Sequence, residues 1–529
     1  MAKDSRNRGR DRGMTRRRFL TASAATAGAV GLGFPGRGWA QGSQAPAAGR
    51  PKPSGELVVG LSEDWMVLDP AAHFYIAAYV VHNHCYDPLV EWDEQGNLVP
   101  MLAESWRTLD DRTWEFKLRK GVKFHNGEPF TAESVKFTLE RLIDPQVKSA
   151  QAFLWAPLQS VEVKDDYTAV IRTKSTFGSL LSTMTMTCML PAKAAKDPAF
   201  FAKPAGTGAF RITRVLKGDR IEMEANPEWW RGQPRLAKLT FRYIGEASTR
   251  VASLLGGETH VVDRVSPDII RQIERSPQHR VATRRSVESQ LIGFHCGKKP
   301  FSDVRVRQAF NYGVDKEALV KDILLGHGTV ADAPMPPDAF GYAKQQPYPY
   351  DIAKAKALLK EAGYGDGPPE VELIVLKGVY TKGLEVSEAI AGHLAKIGAK
   401  VKVNDMEVAR HREARAAGNF DFFFAGWATM TRDADFALWR NFHAGEATIT
   451  GNQLRYVSKD VDRLIEQGQQ TIDPQARKRL YADAERHIWQ DAPWLFLYWT
   501  ELIHGVDKRV KGFRQEPNNI TLVRDAWLE

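Results

Sequence analysis

Beyond residue 54 the chain alternates strand-like and helix-like segments to its end, and this alternation restricts its fold more than any single motif. Strands that take turns with helices are the mark of an α/β architecture. Glu56 to Leu61 reads as the first strand. Thr113-Trp114-Glu115-Phe116-Lys117-Leu118 alternates polar and apolar residues, the pattern of a half-buried strand. Thr131 caps a helix whose Val135, Leu139, Leu142 and Ile143 share one face. Asp303 caps a short helix with Val304, Ala309 and Phe310 on its apolar side, and Asp315 caps another directly after the Gly313 break. Asp351 opens a helix that Gly363 closes. Asp473-Pro474, a cap followed by a first-turn proline, starts a long helix through Leu480, Ala484 and Ile488. Phe420 to Gly426 (FDFFFAG) is an apolar strand running into a Gly-Trp loop.

The first 40 residues read as an address. Thr15-Arg16-Arg17-Arg18-Phe19-Leu20 has the twin-arginine form, an Ala/Gly/Thr-rich run follows from Thr21 to Phe34, and Gly38-Trp39-Ala40 offers small residues for cleavage. A basic tail for nucleic acid would not explain that order. Residues 1–40 carry nine Lys/Arg and two Asp/Glu, which is +7 of the chain's +9. The remaining 489 residues are close to neutral, so the basic balance gives no argument for a nucleic-acid or acidic-membrane partner. Cys85, Cys188 and Cys296 are few and odd in number, consistent with unpaired thiols in a protein that folds before export. No cysteine is placed to take a lipid, and no apolar stretch of about 20 residues follows the leader. The expected location is a periplasm, in soluble form.

At this length two or three domains are expected. Residues 41–54 (QGSQAPAAGRPKPS) read as a disordered lead-in. No CxxC, HExxH, GxxxxGK[ST] or GxSxG occurs, so neither a catalytic role nor a cofactor is expected. His82-Asn83-His84-Cys85 superficially suggests a metal cluster, but ligands at such spacing on a helix point in different directions. They read better as helix residues packed on the lobe, and no metal site is assigned.

Pro300 to Leu319, PFSDVRVRQAFNYGVDKEAL, with Gly293-Phe294 before it, closely resembles a block of the bacterial extracellular solute-binding proteins of the dipeptide/oligopeptide/nickel type, the receptors of ABC importers. Leu102-Ala103-Glu104-Ser105-Trp106, Phe116 to Gly127, Phe130 to Val135 and Gly206-Thr207-Gly208 are similar to further family blocks. Asn226-Pro227-Glu228-Trp229-Trp230, Arg250 to Gly257, Tyr348 to Asp351, Gly426-Trp427 and Asp491-Ala492-Pro493 follow in family order. The resemblance implies a two-lobed α/β receptor that closes on its ligand like a hinged trap, with an extra subdomain in the first lobe. Lobe I is expected at 55–290, its subdomain at about 85–200, lobe II at 291–497, and a return to lobe I at 498–529. The lobe crossings fall near Ser289–His295 and Leu497–His504. The implied partners are a small-molecule ligand and an ABC permease in the inner membrane, with the receptor itself a monomer.

The resemblance also nominates ligand contacts. Trp427 matches the family's cleft-facing Gly-Trp loop, and Ser62 to Tyr75 matches the opposite wall, making Trp65, His73, Phe74 and Tyr75 candidates. Dipeptide receptors of the family hold the ligand's α-ammonium with an acid three residues past that tryptophan, where this chain has Met430. They hold the carboxylate with an arginine where this chain has Leu384. Losing both charges removes the usual recognition of a zwitterion, because buried charge without counter-charge is costly. An ordinary dipeptide is therefore disfavoured, and a ligand without that charged pair is expected. Lys382, Arg432, Asp433 and Asp435 lie close by and could serve a differently shaped ligand, while a solvated loop and helix cap is an equally good reading of them. A peptide-like or other organic solute leads, with a chelated metal as the alternative and an exported enzyme a more distant rival.

The address is directly testable. Replacing Arg16 and Arg17 by Lys is expected to hold precursor in the cytoplasm, while N-terminal sequencing of the exported wild-type protein should begin near Gln41. Unimpaired export of the variant would count against the twin-arginine route.

Overall fold

The computed structural model describes residues 52–446 and 453–529, apart from positions 66, 366 and 368. The leader and nearly all of the 41–54 lead-in lie outside the described residues. Six strands organise the rest: β1 (Glu56–Leu61), β2 (Val261–Val262), β3 (His279–Phe294), β4 (Glu370–Leu376), β5 (Phe422–Ala428) and β6 (Trp494–Asp507). With five more strands they make one eleven-stranded sheet, in which β5, β3, β6, β2 and β1 are consecutive neighbours. β1 runs parallel to β2 and to Lys238–Tyr243 on the first-lobe side. β4 runs parallel to β5 and to Lys400–Met406 on the second-lobe side. Joining the two parallel halves is the long antiparallel pair β3 and β6, 16 and 14 residues. A separate antiparallel sheet, Ala103–Asp110, Thr113–Leu118, Thr168–Thr173 and Leu158–Asp165 in spatial order, forms the additional subdomain, with the helix Ala132–Ile143 against it.

The caps expected from the sequence form. Asp303 and Asp315 accept backbone N–H groups from Arg305 (2.9 Å) and Ala318 (2.9 Å), and Asp351 and Asp473 do the same for Lys354 and Ala476. Two details differ. The strand Thr113–Leu118 is buried at every position but Lys117, because Glu115 on its outer side is covered by Arg107 and Lys164. The Gly-Trp pair lies inside β5, not in a loop after it. Gly426, Trp427 and Ala428 remain in register with Gln290, Ser289 and Glu288 of β3, so pairing continues for two residues beyond the apolar run.

The FNYGVDK segment acts as a polar staple under the second-lobe sheet. Its helix, Val304–Gly313, buries Val306, Ala309 and Phe310 among Phe294, Phe301 and Phe422. Arg307 donates to the carbonyls of Phe301 (2.7 Å) and Asp491 (2.9 Å), meeting the exposed end of the helix Pro474–Asp491. Asn311, fully buried, donates to Trp494 O (2.9 Å) and accepts from Phe496 N (3.1 Å), so one amide satisfies two backbone groups of β6. Lys316 donates to the Asn311 and Tyr348 carbonyls, and burial pulls its ammonium down to about 7. The order of residue types in this stretch thus follows from which carbonyls and N–H groups it must reach.

Asn311→Ala is expected to destabilise the protein by about 1–3 kcal/mol, since it leaves a buried N–H and a buried carbonyl of β6 unpaired. Denaturant unfolding measures this, and a loss below about 0.5 kcal/mol would show that β6 does not depend on the staple.

Candidate functional site

In an α/β sheet the loops at the carboxyl ends of parallel strands gather where the strand order reverses. Here the loop after β2 and the loop after β4 face each other across the β3–β6 pair. They line a hollow of about 70 Å³, open on one side, with walls from both parallel halves of the sheet. Arg264 and Val265 come from the loop after β2, Val379 and Tyr380 from the loop after β4, Glu288 and Gln290 from β3, and Tyr498 and Thr500 to Ile503 from β6.

Several constraints hold these groups in place. Asp263 accepts from the Ser62 backbone (2.7 Å) and hydroxyl (3.0 Å), tying the loops after β1 and β2 together. Arg264 adopts a left-handed backbone, φ 43°, and its carbonyl accepts from the buried Arg250 guanidinium (3.0 Å). Its own guanidinium pairs with Glu63 at 3.0 Å. Burial acts to lower the Arg264 pKa, but the fields of Glu63, Glu288 and Asp263 outweigh it and hold the group above the usual arginine value. Glu288 accepts from Gln290 Nε2 (2.7 Å) and from Asn519 Nδ2 (2.8 Å). His327 and Glu501 meet at 2.6 Å along the same wall. Burial raises the phenol pKa values of Tyr380 and Tyr498, so both rings stay neutral.

Gly426 makes this convergence possible. A Cβ there would stand 2.7 Å from Gln290 Nε2, 2.7 Å from Glu288 Oε1 and 2.9 Å from a Tyr380 ring carbon. The glycine is needed for close approach, since its backbone is not in the left-handed region. Successive strand residues face opposite sides of a sheet. Gly426, opposite Gln290, therefore looks toward the pocket, and Trp427, opposite Ser289, looks away from it.

The residues nominated from the sequence fall into three places, none on this pocket's wall. Trp65 is 2% exposed in the first-lobe core, and Tyr75 is 41% exposed. His73 is buried, its ring 5.0 Å from that of His82, and desolvation lowers it to about 4. Phe74 and Trp427 both pack on Phe436, at 5.6 and 5.3 Å between ring centroids, where the two lobes meet. Met430 is buried in the first-lobe core, its carbonyl accepting from Asn518 Nδ2 (3.2 Å). Arg432, also left-handed at φ 55°, lies 5.1 Å over Trp92 and 4.0 Å from the Glu516 carboxylate. Asp435 accepts from the Ser179 hydroxyl, and next to it Asp433 takes Ser182 (2.8 Å) and Arg477 (2.9 Å). Burial, reinforced by Asp433, raises the Asp435 pKa. Residues 427–436 thus bring Trp427, Met430, Arg432 and Asp435 to the seam between the second lobe and the first. Leu384 lies 38% exposed on the helix Gly383–Lys396, and Lys382 beside it reaches Asp268 at 3.6 Å. His82 and His84 are both buried, and His84 accepts from the Val523 backbone (2.9 Å). Among the described residues no three His, Cys, Asp or Glu side chains gather as metal ligands would.

Sequence reasoning did not find Arg264, Glu288, Gln290, Tyr380 or Tyr498. A signal was present for two of them: Glu288-Ser289-Gln290 is a polar interruption directly before the apolar Leu291-Ile292, on a strand otherwise destined for the sheet's centre. No pattern in the sequence could bring Arg264 or Tyr380 to the same place.

Comparison with known proteins agrees with the fold. Residues 97–448 match the model of the bacterial extracellular solute-binding proteins, family 5 Middle. A glutathione-binding protein GsiB of Pectobacterium atrosepticum is 30% identical over 490 residues, covering 89% of this chain and 94% of that protein. The Escherichia coli K12 protein of the same name is 29% identical over 90% and 94%. HbpA2 from Haemophilus parasuis superposes with a TM-score of 0.78 at 29% identity, over 90% of this chain and 100% of that one. The periplasmic binding protein DppA from Helicobacter pylori, in complex with the peptide STSA, gives 0.78 at 27%, over 90% and 99%. The chain belongs to the bacterial extracellular solute-binding proteins of family 5, the two-lobed receptors of ABC importers.

Proposed function

We propose that this receptor takes a small peptide-like solute into the pocket between the β2 and β4 loops and hands it unchanged to an inner-membrane permease. The observation that carries this is the pocket itself, lined from both lobes and by both crossing strands, with charge of each sign in Arg264 and Glu288. A ligand touching both lobes stabilises the closed form by its differential contacts, which is what a hinged trap requires. The case against an ordinary dipeptide rests on the resemblance alone, through Met430 and Leu384, since neither residue lines this pocket. The charge on β3 and the β2 loop narrows the expectation of a ligand without the usual α-ammonium and α-carboxylate pair: a solute with an amine and carboxylates at unusual spacing suits this wall. Glutathione, whose γ-linkage spaces its charged groups differently from an α-dipeptide, is the first ligand to try, given what the 30% identical relative is named for. The chain is proposed to act in the periplasm as a monomer after twin-arginine export. Arg16-Arg17 supports the route, and no helix among the described residues is long and apolar enough to cross a membrane.

Calorimetry with glutathione and Ala-Ala tests the reading. The expected result is one glutathione per chain, at least tenfold tighter than Ala-Ala, with compaction in solution scattering and the ligand recovered intact. Steady chemical conversion of the ligand by pure protein, or tighter binding of Ala-Ala, would overturn it.

A further inference from the structure

Most polar groups around the pocket are already matched: Arg264 by Glu63, and His327 by Glu501. Glu288 and Gln290 are the exception. The Glu288 carboxylate receives only two neutral amide donors, Gln290 Nε2 and Asn519 Nδ2, and no cationic side chain lies within 4 Å of it among the described residues. Gln290 is 5% exposed, and because its Nε2 is committed to Glu288 its Oε1 is fixed as an acceptor, with no partner. An amide flip would place two acceptors together, so the orientation follows from the chemistry. A carboxylate with no cation in contact, on which Arg264 acts only from farther off, and an orphaned carbonyl oxygen therefore adjoin, and the rings of Tyr380 and Tyr498 line the same pocket.

We propose that Glu288 and Gln290 form the subsite for the ligand's primary ammonium group, with the two phenol rings beside it. This rests on the reading of the pocket as the ligand cleft, and it names the group that cleft selects. A primary ammonium has three donors and no acceptor, so it satisfies the Gln290 Oε1 and the Glu288 carboxylate at once. Charge-assisted hydrogen bonds are the strong ones, and neutral phenol faces favour a cation. The subsite stands on a crossing strand shared by both halves of the sheet. Two register shifts in the β3–β6 ladder, between Arg285 and Ser289 and between Gln290 and Leu291, bracket the pair. Such irregularities re-aim side chains beside sites.

The test compares wild type with Glu288→Gln, which keeps side-chain volume. Glutathione and its N-acetylated form are measured by calorimetry; butylamine, butanol and potassium chloride, at matched millimolar concentration, by thermal melting. Acetylation is expected to weaken binding to wild type about 10- to 100-fold, E288Q to weaken glutathione by a similar factor, and acetylated glutathione to be indifferent to E288Q. Butylamine should raise the wild-type melting temperature and leave E288Q unmoved, with butanol and potassium chloride silent. If neither peptide binds but butylamine still separates the two proteins, the subsite stands and the peptide reading falls. If glutathione binds, acetylation changes nothing and butylamine is silent, the peptide reading stands and the subsite falls. Potassium chloride matching the butylamine shift also overturns it, because a metal ion would then be the occupant. Should E288Q fail to fold, the two wild-type comparisons decide.

Discussion

The two halves of this molecule depend on one ladder of hydrogen bonds, the antiparallel pairing of β3 with β6. Each parallel half has its own loops, cores and crossovers, yet both attach to this pair, β5 on one flank and β2 on the other. Relative movement of the halves must therefore be absorbed along these two strands. The ladder is regular from His279 to Arg285, breaks, resumes at Ser289, shifts again before Leu291 and continues to Gly293. The irregular stretch is where a twist disturbs fewest backbone bonds, and it also carries Glu288 and Gln290. A ligand held there would lie on the part of the backbone that bends.

The sheet's two faces separate packing from recognition. In β5 the residues Phe422 and Phe424 pack on one side with Phe294, Phe310 and Leu495, while Phe423 and Ala425 pack on the other with Trp494 and Phe496. At residue 426 the first side runs out of apolar cover and a glycine admits three polar or aromatic neighbours. The second side stays closed, with Trp427 against Phe436. That seam is also where buried charge accumulates: Arg477 pairs with Asp433 and acts on Asp435, which also accepts from the Ser179 hydroxyl. Buried arrangements of this kind define one geometry of approach even when their net contribution to stability is small.

Much of the fold was legible because it rests on local rules. Caps at Asp303, Asp315, Asp351 and Asp473 are short-range chemistry, and each formed as its sequence requires. Two-lobed architecture came from resemblance rather than from periodicity, and the family match and solved relatives agree with it. Within the pocket the situation reverses. Arg264 and Tyr380 are 116 residues apart and meet only because the sheet order interleaves distant strands. Which face of the sheet Trp427 takes is likewise set by register, and a shift of one residue would invert it.

Closure itself needs an external contribution. The described ion pair at the pocket's rim, Lys382 with Asp268 at 3.6 Å, is solvent-exposed and of the kind worth under about 1 kcal/mol. Lys382 also divides its charge with Glu385 at 3.3 Å and holds a left-handed backbone, φ 56°, which offsets part of that gain. Arg285 with Asp338 at 2.7 Å is likewise on the surface. Rim pairs of this strength choose an approach geometry without fixing the closed state. The free energy for closing must come from contacts made only when ligand is present, and under the proposed subsite the Gln290 carbonyl, which has no partner among the described residues, would be one of the groups that make them. On that proposal the weak rim pairs guide the approach, and the ligand's own chemistry decides the closed state.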